Sequence, residues 1–141
     1  MSLLDYINKA DVICFSSTGN YTIGGKALSD DKNTIELFSK YPEVSKNLAL
    51  KLKQTSRNIP FLVGALNGDN FVHLDENSFK NKNYSCLIAS FPIKTNIRDN
   101  INFQLIKQSV IVIEDYMKSF NWKSVVISSP SVNNDSNIIF I

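Results

Sequence analysis

The chain has 141 residues, enough for one domain with its own hydrophobic core and too few for two ordinary ones, so we expect residues 1–141 to form a single domain. Hydrophobic residues make up 43% of the chain and charged residues 20%, values that exclude a disordered or fibrous protein. The formal net charge is +2 with basic and acidic residues interspersed, so an extended nucleic-acid interface is not expected.

The first part of the chain predicts a short helix, a buried strand and a polar loop. Leu3, Leu4 and Ile7 lie at helical spacing. Residues 12–15 (VICF) form a continuous apolar run, which is typical of a parallel strand covered on both faces. Residues 16–26 then combine small polar side chains with glycines, whose backbone amides can approach an anion closely. The adjacent glycines at residues 24–25 predict a tight turn that leads into a helix. We therefore treat this loop as a candidate ligand site.

The middle of the chain predicts two helices and a β-hairpin. A helix over residues 35–41 should end at the following proline, because the residue before a proline is disfavoured in the α region. A second helix is predicted over residues 44–57. Residues 59–64 and 70–74 resemble short strands joined by a turn at residues 67–69, which predicts the hairpin.

The last part of the chain predicts strands that flank a long helix. Residues 84–91 form a strand that should be buried on both faces, and from residue 102 to residue 120 the apolar positions recur every three or four residues. Residues 124–128 predict another strand, residues 130–137 a polar loop and residues 138–141 a final apolar segment. Strands that alternate with helices indicate an α/β fold with a largely parallel sheet.

Short apolar runs and few cysteines exclude further classes of protein. No run approaches the ~20 residues that a transmembrane helix requires, so no membrane contact is expected. The N-terminus lacks the basic start and long apolar stretch of a secretory signal, so we expect a cytoplasmic protein. Cys14 and Cys86 lie in predicted buried strands, which favours core thiols over a disulfide. With a single histidine in the chain, no metal site is expected.

A cationic turn follows the strand at residues 84–91. Residues 91–94 (FPIK) lead to Arg98 just before the long helix, and open α/β folds bind ligands at the carboxyl ends of their strands. Lys94 could stabilise developing negative charge, or it could be a solvated lysine at a strand end. Arg98 could bind a phosphate in bidentate fashion, or it could pair with Asp99 or another surface carboxylate.

The order of these motifs resembles that of macro domains, the ADP-ribose-binding modules. The likeness is to the branch whose motif reads Phe-Pro-Thr-Lys followed by Trp-Arg, found in DNA ADP-ribosyl glycohydrolases and in small phage and bacterial proteins. Upstream, residues 11–13 (DVI) resemble the first core strand of the family, residues 24–28 (GGKAL) its Gly-rich loop, and residues 40–43 (KYPE) its Phe-Pro-Glu. Residues 122–127 (WKSVVI) resemble the later strand. The resemblance extends over residues 10–128.

This resemblance implies a three-layer α/β/α fold with a mixed, largely parallel central sheet. It implies binding of ADP-ribose or a related nucleotide, with no cofactor, and hydrolysis of an ADP-ribosyl bond through Lys94 as a further activity. Nucleic acid would be a partner only as an ADP-ribosylated substrate, and a phage-encoded protein would act in the host cytoplasm. The implied ligand-binding residues are Thr18, Asn20, Gly24, Gly25, Lys26, Phe91, Pro92, Arg98, Ser129, Ser131 and Asn133.

The sequence departs from the family pattern at two places, and the second departure favours an alternative function. Thr18 stands where most macro domains have an Asn that holds the distal ribose, with Asn20 as a nearby substitute. Residues 129–137 replace a glycine-rich second loop and contain no glycine, although glycines let backbone amides wrap a diphosphate. The alternative is a degenerate macro fold that acts as a protein-binding or inhibitory module without nucleotide chemistry, and a different α/β small-molecule enzyme also remains open.

The other polar groups are predicted to lie outside the site. The paired carboxylates at residues 30–31 and 75–76 fall in loop-like segments, where a solvated surface is the usual explanation. His73 falls in the predicted hairpin, and no Ser or Cys has the sequence context of a nucleophile elbow. A His-based catalytic triad is therefore not expected.

Overall fold

The computed structural model describes residues 2–74, 84–128 and 138–140. Its strands are β1 (Val12–Ser17), β2 (Leu62–Asn67), β3 (Asn70–Val72), β4 (Cys86–Pro92), β5 (Val125–Ile127) and β6 (Ile138–Phe140). Its α-helices are α1 (Lys32–Lys40), α2 (Pro42–Thr55) and α3 (Phe103–Phe120), preceded by a 3-10 helix over Leu3–Tyr6.

Within the described residues the strands form one six-stranded sheet in the order β3-β2-β4-β1-β5-β6. Strand β1 pairs in parallel with β4 on one side and with β5 on the other, and β6 pairs in parallel with β5. Strand β2 pairs antiparallel with both β3 and β4. The predicted mixed, largely parallel sheet is confirmed.

Helices cover both faces of the central strand β1. Ile13 and Phe15 belong to a core cluster that also contains side chains of α1 and α2, whereas Val12 and Cys14 belong to a second cluster with side chains of α3. All six residues of β1 are buried, as its uninterrupted apolar run predicts. The three-layer α/β/α arrangement is confirmed.

Local sequence sets the helix ends. The Asp31 side chain accepts a hydrogen bond from the backbone N–H of Thr34 and caps α1, and Asn102 caps α3 in the same way. Helix α1 ends at Lys40 as predicted, and the proline that stops it occupies the first turn of α2, where its missing N–H costs nothing. No helix among the described residues is long and apolar enough to cross a membrane.

The hairpin formed by β2 and β3 is also confirmed. Its turn contains Gly68, whose φ of 65° lies in the left-handed region that glycine adopts readily. The first strand begins at Leu62, three residues later than predicted, and its pairing with β4 shifts register between Leu62 and Gly64. Pro60 lies in the segment before this strand, which is consistent with the later start because a proline cannot donate to the ladder.

Both cysteines are free and buried, and they lie in different core clusters. Burial raises the pKa of the Cys14 thiol far above its ordinary value, with a further rise from nearby Cys86, and burial also raises the pKa of Cys86. Because the thiolate is the reactive form, we expect neither thiol to react with a disulfide reagent at pH 8 in the native protein. Both should react in urea, and rapid native reaction of either would contradict the described packing.

Candidate functional site

Two loops meet at the carboxyl ends of β1 and β4. These strands run in parallel with Ser16 opposite Phe91 and Ser17 opposite Pro92, so both chains leave the sheet at the same edge. Residues 18–20 follow β1, and a segment that we call the 94–99 loop (residues 94–99) follows β4 after Ile93. The sequence places the candidate site at this edge, where open α/β folds bind ligands.

The 94–99 loop contains a β-turn that is held against the loop after β1. The backbone N–H of Asp99 donates to the Asn96 carbonyl at 3.0 Å, and the N–H of Asn96 donates to Asp99 Oδ2 at 3.2 Å. The Asn20 amide ties the two loops together, because its Oδ1 accepts from the Ile97 N–H at 2.7 Å and its Nδ2 donates to Asn96 Oδ1 at 3.1 Å. Asn20, a predicted ligand residue, therefore positions the loop.

Two further contacts fix the start of this loop. The Gly19 N–H donates to the Thr95 carbonyl at 2.9 Å, and Asn58 Nδ2 donates to the Lys94 carbonyl at 3.0 Å. A Cβ added to Gly19 would lie only 2.7 Å from the Thr95 oxygen, so the close approach requires glycine. Neither Gly19 nor Asn58 was predicted from the sequence as a site residue.

Lys94 lies at the centre of the site. Its Nζ is 3.0 Å from Asp30 Oδ2 and donates to the Ile97 carbonyl at 3.3 Å. The Lys94 side chain is only 12% exposed, whereas that of Asp30 is 57% exposed. The structure thus places Lys94 in a defined hydrogen-bonded position, and the alternative of a freely solvated lysine does not describe it.

Asp31 links the start of α1 to the end of β5. Besides the Thr34 N–H, its Oδ2 accepts from the Thr34 hydroxyl at 3.1 Å and from the Ser128 hydroxyl, at the end of β5, at 3.4 Å. Asp30 is exposed in a loop, as predicted for a solvated carboxylate, although it also binds Lys94. The prediction is wrong for Asp31, which is half-buried and caps α1. Residues 75–76, the other predicted pair, lie outside the described residues.

Two cavities of about 500 Å³ each flank the 94–99 loop. The first, here called the Lys94 cavity, is lined among others by Asp30, Asp31, Lys94, Asp99, Ile101 and Phe103. The second, here called the Arg98 cavity, is lined by Asn20, Leu28, Asn96, Ile97, Arg98 and Asp99. Asp99 lines both, so the two are neighbours, and both are open to solvent.

Comparison with known proteins identifies the fold. No family model and no curated protein matches the chain. Among solved structures, the macrodomain of Thermus aquaticus DarG is similar, with a TM-score of 0.61 over 95% of this chain and 76% of that chain, at 12% sequence identity. The chain has the macrodomain fold. The fold class predicted from the motif order is therefore confirmed.

In this macrodomain fold the remaining predicted site residues near β1 differ in exposure. Thr18 is buried, and its hydroxyl donates to the Leu28 carbonyl at 3.1 Å and accepts from the Asn20 N–H at 3.2 Å. Both hydrogen-bonding roles of this hydroxyl are thus used inside the protein. Lys26 is exposed and lines neither cavity.

Gly24 and Gly25 form the tip of a small hairpin. A bridge between Tyr21 and Ala27 closes it, and Gly25 has a φ of 86° that favours glycine. The prediction that these glycines lead directly into a helix is wrong, because the Thr22 N–H donates to the carbonyl of residue 26 at 2.8 Å and the chain reverses. Helix α1 begins only at Lys32.

The residues predicted after β4 and β5 include some core positions. Phe91 belongs to the core cluster under α3, and the carbonyl of buried Pro92 accepts from the Ser109 hydroxyl at 3.1 Å. These two residues support the strand end from which Lys94 projects into the site. Ser129, Ser131 and Asn133 lie outside the described residues. Among the described residues, no cluster of His, Cys, Asp or Glu could hold a metal ion.

Proposed function

We propose that the chain binds ADP-ribose or a related nucleotide across the carboxyl ends of β1 and β4. The macrodomain fold, two adjoining cavities at this edge and the cationic residues Lys94 and Arg98 all support this proposal. The observation that carries it is the position of Lys94, the residue that the motif resemblance marks. This lysine is largely buried, held by two partners and in the wall of a cavity at the end of a central strand.

The Lys94 ammonium still has a donor to offer a ligand. A lysine ammonium carries three N–H groups, and within the described residues Asp30 and the Ile97 carbonyl accept from it. One N–H is therefore available to an oxygen of a molecule in the Lys94 cavity. Because both partners fix the ammonium in advance, a ligand oxygen meets a donor that needs little reorientation.

Hydrolysis of an ADP-ribosyl bond is the activity that we propose as an extension of binding. It rests on the likeness of residues 91–94 to the motif of the DNA ADP-ribosyl glycohydrolase branch. In this reaction water adds to the anomeric carbon of the distal ribose, the bond to the leaving group breaks, and the leaving group takes a proton. Lys94 would stabilise the negative charge that develops on the leaving atom, with Asp30 as its positioning residue.

Calorimetric titration with ADP-ribose tests the proposal. We expect a dissociation constant on the order of 1 μM, and we expect Lys94→Ala to weaken binding by about tenfold to a hundredfold, the usual cost of a charged hydrogen bond. Lys107→Ala is the matched control, since Lys107 is exposed on α3 and lines neither cavity. Absence of heat and of thermal stabilisation at millimolar ADP-ribose would refute the proposal.

One observation favours the alternative, a protein-binding or inhibitory module without nucleotide chemistry. Ile23, at the tip of the Tyr21–Ala27 hairpin, is 109% exposed, and Tyr21 beside it is 41% exposed. An isoleucine so fully exposed contributes nothing to the core and could contact another protein. The alternative predicts that ADP-ribose, ADP and AMP all fail to bind, whereas nucleotide binding weakened by Lys94→Ala would exclude it.

A further inference from the structure

We propose that the site binds the charged and the uncharged parts of its ligand in different cavities, an arrangement that we call the division by charge. This inference rests on the proposed function. Phosphate groups bind in the Arg98 cavity, and an uncharged, hydroxyl-bearing part such as a ribose binds in the Lys94 cavity. Arg98, and not Lys94, is then the phosphate-binding residue. The 94–99 loop lies between the two parts of the ligand.

The Lys94 cavity is unsuited to a phosphate because carboxylates predominate among the described residues of its wall. Of these residues, Asp30, Asp31 and Asp99 carry carboxylates and Lys94 alone carries an ammonium, which already lies 3.0 Å from Asp30 Oδ2. A phosphate entering this cavity would be repelled by the excess negative charge. Hydroxyl groups, in contrast, donate readily to carboxylate oxygens. The wall chemistry thus favours a sugar over an anion.

The Arg98 cavity offers the opposite chemistry. Within the described parts of the chain, Arg98 is exposed and has no ion-pair partner. The one carboxylate in the wall, Asp99, accepts from the Asn96 backbone N–H at 3.2 Å through its Oδ2. The planar guanidinium presents paired N–H donors whose geometry matches phosphate oxygens. An anion therefore finds its best partner on this side of the loop.

The backbone that carries Arg98 is already in place. Arg98 is the third residue of the β-turn over residues 96–99, and Asn20 bonds to both Asn96 and Ile97 of that turn. On the protein side, binding then has to order only the side chain of Arg98, which keeps the entropic cost of binding small. Because Asp99 lines both cavities, the two adjoin at this residue, and one ligand that carries a sugar and phosphates can contact both.

Titration of the ¹⁵N-labelled protein with pyrophosphate at low ionic strength tests this division. We expect saturable shifts of the backbone amides of residues 96–98. Arg98→Ala should weaken pyrophosphate binding by about tenfold or more. Arg57→Ala should bind like the wild type, because Arg57, the other arginine of the chain, is exposed and lines neither cavity. Lys94→Ala should weaken ADP-ribose binding more than pyrophosphate binding.

Two results would overturn the division by charge. One is a set of shifts centred on residues 30, 31 and 94 that Arg98→Ala leaves unchanged, and the other is the absence of any saturable shift. The same spectra establish that each variant is folded. A different result would show that the proposed function, and not the division by charge, is wrong. In that case pyrophosphate would bind through Arg98, but ADP-ribose would bind no more tightly than pyrophosphate.

Discussion

Replacement of Gly19 with alanine is expected to lower ADP-ribose affinity by about tenfold or more and to destabilise the fold by about 1–3 kcal/mol, as overpacked positions typically do. The new Cβ would lie 2.7 Å from the Thr95 carbonyl oxygen, a backbone atom. This backbone cannot withdraw easily, because Asn20 and Asn58 hold the 94–99 loop with hydrogen bonds. The substitution should therefore displace both Lys94 and Arg98.

Calorimetric titration with ADP-ribose and unfolding in urea measure these two effects. Gly24→Ala is the matched control for stability, because a Cβ there would meet only Thr22 Oγ1 at 3.7 Å, an ordinary contact. We expect this control to unfold within about 0.5 kcal/mol of the wild type. If Gly19→Ala binds ADP-ribose as the wild type does, the 94–99 loop does not hold the ligand.

Gly64→Ala is expected to destabilise the protein by about 1–3 kcal/mol without changing the site. A Cβ on Gly64 in β2 would overlap the ring of Phe71 in β3, and this ring also packs against Tyr41, with 6.2 Å between ring centroids. Neither Gly64 nor Phe71 lines a cavity at the site. Urea unfolding should show the loss of stability, and ADP-ribose affinity measured well below the melting temperature should stay at the wild-type value.

A second substitution tests the cause of this loss. Phe71→Leu in the Gly64→Ala background shortens the overlapping side chain and should recover part of the stability, so the two changes should be non-additive. Additive losses would show that the overlap between residues 64 and 71 is not the cause.

Much of the fold could be predicted because its signals are local. The unbroken apolar run of β1 reflects burial on both faces, and the periodicity of α3 reflects one buried side. Helix α1 ends before Pro42 because the proline ring disfavours the α region for the residue that precedes it. The tight turn at Gly24 and Gly25 is confirmed, but the helix predicted directly after it is wrong, because adjacent glycines predict a reversal of the chain and do not specify the next element.

The site could be predicted only in part because its contacts are long-range. Lys94 could be singled out from its place after a strand, but its partner Asp30 is 64 residues away in the chain. The bond between Asn20 and the Ile97 N–H spans 77 residues. The Asn20–Ile97 bond forms because β1 and β4 run side by side in parallel, and no local pattern encodes that pairing. Gly19 was missed for the same reason, since its neighbour Thr95 belongs to the other loop.

The most direct test of nucleotide binding at this edge is an amide shift map of the ¹⁵N-labelled protein with ADP-ribose. We predict saturable shifts at Gly19, at Asn20 and throughout residues 94–99, with none at the hairpin turn around Gly68. Shifts confined to other parts of the chain, or no shifts at millimolar ADP-ribose, would contradict binding at this edge.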